Sequence, residues 1–234
     1  MSKKSLKKNE DSTTEVAVAQ PAVSGLTGVI EQSDLVIPSL KIAQKTGELG
    51  ELFMPGSLVL NNEYCLYGAR SDEPEKRTDA PVWITVTGAR KSYYENLPYG
   101  SDTMPQTAET LDEVYEKGGS LDWGPNNQRP SWNPQLTCTL LIKGEDEALF
   151  PFEYEGDNYT PAQWTIASIS AYTAAAKPIL TAAAFNLKAG LEFGSWELTT
   201  KLKKDTNKSW IVPVLKTGPK NDEAFVKWVR ELTR

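Results

Sequence analysis

Lysines and a tryptophan gather late in the chain. The stretch from Trp196 to Leu215 carries Lys201, Lys203, Lys204 and Lys208 beside Trp210. From Lys201 to Lys220 there are six lysines and one aspartate, a local charge of +5 in a chain whose net charge is −6. A basic patch on an acidic protein points to a localised anionic ligand. Phosphates neutralised there would release counterions, and binding would weaken with salt. The plainer reading is a solvated hairpin tip, charged against edge-to-edge pairing. Two registers are open. With Asp205-Thr206-Asn207 as the loop, Lys204 faces Lys208 and Leu202 faces Trp210; Trp196, Leu198 and Val212 join that apolar face, and Lys201 and Lys203 project from the other. A slip of one residue sets Lys203 opposite Trp210 and Leu202 opposite Ile211. The first register gathers the apolar residues and is the expected one.

A second group lies on the longest strand expected, Val82 to Tyr94. There Trp83, Thr85, Thr87, Lys91 and Tyr93 share a face, with Arg90 and Tyr94 nearby, provided that no bulge at Gly88 changes the register. Rings interleaved with cations suit single-stranded nucleic acid, whose bases stack at ~1–3 kcal/mol each inside a positive groove. Burial against a helix competes with this reading, most strongly for Trp83. A third group, Trp123, Arg129 and Trp132 with Asn126, Asn127 and Gln128, falls in a proline- and glycine-rich stretch over 95–135. Connections of that length are often functional; a surface loop anchored by its tryptophans is the alternative.

Signals for catalysis are poor. The chain has no histidine, which removes the commonest general base and the commonest neutral metal ligand. No phosphate-binding glycine loop, nucleophile elbow or Cys-x-x-Cys pair occurs. The acidic clusters Asp72-Glu73-Glu75, Asp112-Glu113 and Glu145-Asp146-Glu147 lie in expected turns and read as solvated charge. No catalytic residue, metal or cofactor is expected. Cys65 and Cys138 are the only cysteines, and both read as reduced thiols of a cytoplasmic protein. No stretch approaches the ~20 apolar residues of a membrane span, and basic Met1 to Lys8 lacks the apolar run of a secretory signal.

The elements that must position these groups are mostly strands. Residues 1–30 read as a disordered tail, and order is expected from near Asp34. An extended segment follows over Leu35 to Gln44, then a short strand at Ser57 to Leu60 and a charged loop over 71–80. A brief helix is expected at Ala108 to Glu116. Leu136 to Ile142 and Phe150 to Tyr154 alternate as a hairpin turning at Gly144 to Glu147. Thr160 and Pro161 read as the start of a helix carrying Trp164, Ile166, Ile169 and Tyr172, ended or kinked at Pro178. A second short helix over Ile179 to Phe185 and a terminal helix over Asp222 to Leu232, with Phe225, Trp228, Val229 and Leu232 inward, complete the chain. The class is mainly β with a few helices (α+β): an OB-like small barrel or strongly bent antiparallel sheet with one or two packed helices. Residues 31–234 form one such domain with a long 95–135 loop and a C-terminal helix.

Three features together resemble phage-encoded single-stranded DNA-binding proteins of the OB-fold type: the tail ahead of Ile37-Pro38-x-Leu40-Lys41-Ile42-x-Gln44, the central hairpin followed by the Pro161-capped helix, and the run from Leu187 to Phe193 leading into the Lys-rich hairpin. The resemblance spans most of residues 34–215. It implies an OB-like barrel that coats single strands during DNA replication or recombination without base specificity, with binding carried onto Trp83, Arg90, Lys91, Tyr93, Lys201 and Lys203. Its implied partners are single-stranded DNA and replication or recombination proteins; self-association and RNA preference stay open. One departure stands out: many such proteins end in an acidic tail, whereas this chain ends Trp228-Val-Arg-Glu-Leu-Thr-Arg234. The other function class in view is a structural or interaction protein of a phage, either a virion component or an inhibitor of a host protein.

Overall fold

Period-two burial builds two antiparallel sheets. In the computed structural model, residues 37–98, 100–187, 189–206 and 208–232 are described; the expected N-terminal tail, and the onset of order near Asp34, lie outside them. The smaller sheet has β1 (Leu40–Ile42), β2 (Leu58–Leu60) and β3 (Tyr64–Tyr67) in that order. The larger contains β4 (Val82–Glu95), β5 (Thr107–Ala108), β6 (Trp132–Gly144), β7 (Phe152–Tyr154), β8 (Asp157–Ile166), β9 (Gly194–Asp205) and β10 (Lys208–Lys220). Its order is β10-β9-β4-β6-β8-β7, with β5 added to β4.

One face of the larger sheet carries the main core. Val82, Ile84 and Val86 of β4 pack with Leu136, Cys138, Leu140 and Ile142 of β6, Ala162, Trp164 and Ile166 of β8, and Trp196 and Leu198 of β9. Leu40, Leu58 and Leu60 of the smaller sheet join the same core, as do Tyr172, Ala175, Ala176 and Ile179 of a helical run over 169–186. The molecule is therefore mainly β with a few packed helices, and the sheet is open: no ladder joins β8 to β10 among the described residues. The smaller sheet and its loops touch both sides instead. Gln163 of β8 donates its N–H to Pro38 O at 2.8 Å. On the far side Thr200 Oγ1 donates to Gly56 O at 2.6 Å, and Ile211 N–H to Gln44 Oε1 at 3.3 Å.

Three local expectations need correction. No helix starts at Pro161: Thr160, Ala162, Trp164 and Ile166 are buried while Pro161, Gln163 and Thr165 are not, a strand period that continues to Ile166. Pro161 is tolerated because its nitrogen points the way Gln163's does, away from β6, so no ladder hydrogen bond is lost. Pro213 of β10 occupies the matching position two residues after Ile211, whose N–H faces away from β9. The helical run begins only after Ser168, whose Oγ accepts from Ala171 N–H at 3.1 Å. It passes through Pro178 as one piece rather than as two helices. The turn ahead of Pro178 is widened, with Lys177 N–H donating to Tyr172 O five residues back.

The third correction concerns the central hairpin. β7 pairs with β8, and β8 lies between it and β6. The turn chemistry explains this: Glu155 (φ 50°) and Gly156 (φ 85°) make a two-residue connection with both residues left-handed, which suits a tight hairpin from Tyr154 to Asp157. The C-terminal helix (Glu223–Leu232) forms as expected. Asp222 Oδ1 accepts Phe225 N–H at 2.8 Å, and Phe225 and Val229 pack on Leu141 at the opposite face of the sheet, beside Tyr154, Tyr159, Trp228 and Leu232. Among the described residues no helix is long and apolar enough to cross a membrane.

Candidate functional site

The register of β4 decides the second group of sequence candidates. Val86 pairs with Leu140, but Gly88 pairs with Thr139, so Thr87 is an extra residue and the ladder is bulged there. The bulge flips the parity of everything after it. Lys91 and Tyr93 therefore share the face of Val82, Ile84 and Val86, whereas Trp83 shares the other face with Arg90. The common surface of Trp83, Lys91 and Tyr93 expected from simple alternation does not form.

Their environments differ as well. Tyr93 is 6% exposed and Trp132 3% exposed; both belong to a satellite core with Ala108 and Val114, so neither ring is a stacking platform. That core also anchors the 95–135 connection through Trp132, and the brief helix expected inside it forms. β5 pairs with β4, and a helix over Leu111–Glu116 is capped by Thr110, whose Oγ1 accepts Glu113 N–H at 3.2 Å. Trp83 is half-buried against Gly218 and lines a cavity of about 250 Å³ with Tyr159, Phe225, Lys143 and Asn221. The cavity's polar groups are already engaged: Asn221 Nδ2 donates to Thr85 Oγ1 and Glu192 O, and Lys143 pairs with Asp157. Arg90 is exposed but neutralised by Glu109, with Nη2 to Oε1 at 2.6 Å and Nε to Oε2 at 3.0 Å. Lys91 keeps its charge; its Nζ lies 5.1 Å from the Tyr93 ring centroid, and a hydrogen bond with Tyr93 raises its pKa. Arg129 is exposed in the segment following Trp123, which is 57% exposed.

The β9–β10 hairpin behaves differently. Its ladder sets Asp205 opposite Lys208, Lys204 opposite Ser209, Lys203 opposite Trp210, Leu202 opposite Ile211 and Lys201 opposite Val212. This is the slipped register, not the expected one. The connection spans two residues rather than three, a favoured hairpin length. Ile211 is then buried on the face that meets Gly56, with its N–H on Gln44 Oε1, while Leu202 opposite it stays exposed. As a result Lys201, Lys203, Lys208 and Trp210 share one face, with Lys204 on the other.

Lys201, Lys203, Lys204 and Lys208 are all exposed, and none forms an ion pair with a described residue. Lys216, farther from the tip, is held by Glu197 at 3.0 Å. One cation that sequence reasoning missed joins the tip: Lys45 Nζ donates to Ser209 Oγ at 2.6 Å. Nothing local in the sequence relates residues 164 positions apart. Trp210 is half-buried, and its indole Nε1 is fully buried with no hydrogen-bond partner.

The two thiols offer no reactive centre. Both are free. Burial pushes the pKa of Cys138 up to about 12, and burial likewise raises that of Cys65. The tip of the β9–β10 hairpin is thus the cluster of sequence-predicted residues that the fold brings together with its lysines outside any ion pair among the described residues, Asp205 standing opposite Lys208 without bridging it; no protein-family model, curated protein or solved structure matches the chain.

Proposed function

We propose that this chain binds single-stranded DNA without base specificity, through the tip of the β9–β10 hairpin, in phage DNA replication or recombination in a host cytoplasm. The observation that carries the reading is the cluster of Lys201, Lys203, Lys204 and Lys208, exposed and outside any ion pair among the described residues, with Asp205 the acid that faces them across the ladder at Lys208, in a chain of net charge −6. Lys45 adds to it through Ser209. The open, OB-like order of β8-β6-β4-β9-β10 is in keeping with it, since such sheets bind oligonucleotides on one face and on the loops joining strands. Four phosphate contacts on a single strand correspond to a log–log salt slope of about −3.

The test is an oligo-dT titration at several salt concentrations. The Lys201→Glu, Lys203→Glu double variant, folded by circular dichroism, is expected to bind at least ~30-fold more weakly and with a slope shallower by about 1.4. Wild-type affinity and slope in that variant would sink the proposal. A second reading, a structural or interaction protein, draws on Met104, Tyr115 and Trp123, all more than half exposed in the 95–135 region. Under that reading wild-type protein shows no salt-dependent binding to oligo-dT.

A further inference from the structure

Two buried side-chain polar atoms lack a hydrogen-bond partner among the described residues: Asn133 Oδ1 and Trp210 Nε1. Leaving such a group unpaired costs free energy, and native proteins keep few of them. Asn133 lies on β6 opposite Tyr94, away from the hairpin. Trp210 lies within the lysine cluster. Its cross-strand partner is Lys203, Lys201 stands on the same face, and Lys208 is two residues before it on the same side of the ladder.

We infer that the Trp210 indole N–H is a donor held for a phosphate oxygen of the bound strand, and that Lys203 neutralises the same phosphate. This rests on the reading of the hairpin tip as a strand-binding site. Directly opposite residues in an antiparallel ladder stand ≈ 4.5–5.5 Å apart at Cβ, so an ammonium and an indole N–H can reach one anion. The indole nitrogen is covered in the free protein, so a phosphate reaches it only when the groups over it move. Lys203, its cross-strand neighbour, is exposed and in no ion pair with a described residue, so its ammonium is free to follow the phosphate. The free protein thus carries the cost of an unmade hydrogen bond, and the complex relieves it. A hydrogen bond to a charged acceptor is among the stronger kinds.

The decisive variant is Trp210→Phe, which removes the N–H and keeps a ring. It is expected to bind oligo-dT about tenfold more weakly. Its salt slope should match wild type, because no lysine has changed. Its melting temperature should not fall through any lost hydrogen bond, since the free protein makes none there; a donor with a purely structural role would lower it. In wild-type protein labelled with ¹⁵N, the Trp210 indole resonance, assigned from its absence in the variant, should move downfield on saturation with oligo-dT. It should do so equally with an abasic phosphodiester of the same length. An affinity for Trp210→Phe within twofold of wild type overturns the inference, as does an indole resonance that stays fixed or responds to oligo-dT but not to the abasic strand. If Lys201→Glu, Lys203→Glu binds normally while Trp210→Phe does not, the lysine reading and the shared phosphate assigned to Lys203 are overturned, and only the indole donor is upheld. If wild-type protein binds neither strand, both fall.

Discussion

Strand β4 and the β9–β10 hairpin carry the same kind of signal, rings interleaved with cations, and the fold treats them in opposite ways. On β4 a single extra residue at Thr87 sends Trp83 and Tyr93 to different faces, Tyr93 enters a core, and Glu109 occupies the guanidinium of Arg90. On the hairpin, the register lines Lys201, Lys203 and Lys208 up with Trp210, and none of these lysines forms an ion pair with a described residue, Asp205 opposite Lys208 included. Local composition is therefore a weak guide to a binding surface. What separates the two regions is partner assignment: a cation paired within the fold has little left to offer a ligand, and an unpaired one keeps its full attraction for phosphate.

The sharpest way to break this comparison is to remove a ring from the satellite core beside β4. Trp132→Ala, in the satellite core that holds Tyr93, is expected to cost about 3–5 kcal/mol in urea unfolding, with oligo-dT affinity kept at temperatures where the variant is folded. A loss of binding with stability intact would return that ring to the ligand surface. Charge reversal comes next. Arg90→Glu should weaken binding by less than about threefold, because Glu109 already cancels Arg90, against the ~30-fold expected for the hairpin double variant. Equal losses in the two variants would erase the distinction.

Alkaline stability probes whether the middle of β4 and β6 is core, as the pairing of Ala89 with Cys138 implies. Burial pushes the Cys138 thiol up to about 12 in the folded chain, against 9.0 for an exposed thiol. The unfolded chain therefore loses the proton first, and stability declines as pH rises from about 9 toward 12. Cys138→Ala should flatten that decline in pH-dependent urea midpoints; an unchanged pH profile would mean that the thiol is not shielded. The smallest effect expected is that of Glu109→Gln. It frees Arg90 and should raise oligo-dT affinity by no more than about twofold, whereas a large gain would mean that β4 is a latent half of the site.

Much of the fold is legible in the chain. The alternation of Val82, Ile84 and Val86, of Leu136 to Ile142, and of Phe225, Trp228, Val229 and Leu232 at helical spacing each report a buried face directly. The unread parts share a physical cause. Parity along a strand survives only while no residue is extra, so the bulge at Thr87 reverses every assignment beyond it. Pro161 signals a helix start by local preference, but an outward-facing nitrogen on β8 accommodates it equally well. The pairings of Arg90 with Glu109 and of Lys45 with Ser209 are tertiary and leave no local trace. The candidate site followed the same pattern: the four tip lysines were visible from composition, while the indole's place beside them depended on a one-residue choice of register.

Pro161 and Pro213 sit on the two sides of the long-strand sheet with their nitrogens turned outward, and Gln44 takes up the neighbouring N–H of Ile211. Each proline removes one donor from an outward backbone row, one hydrogen bond fewer for a foreign β-segment at that point. At those two positions the backbone is blunted against edge-to-edge fusion of crowded copies into a continuous ribbon.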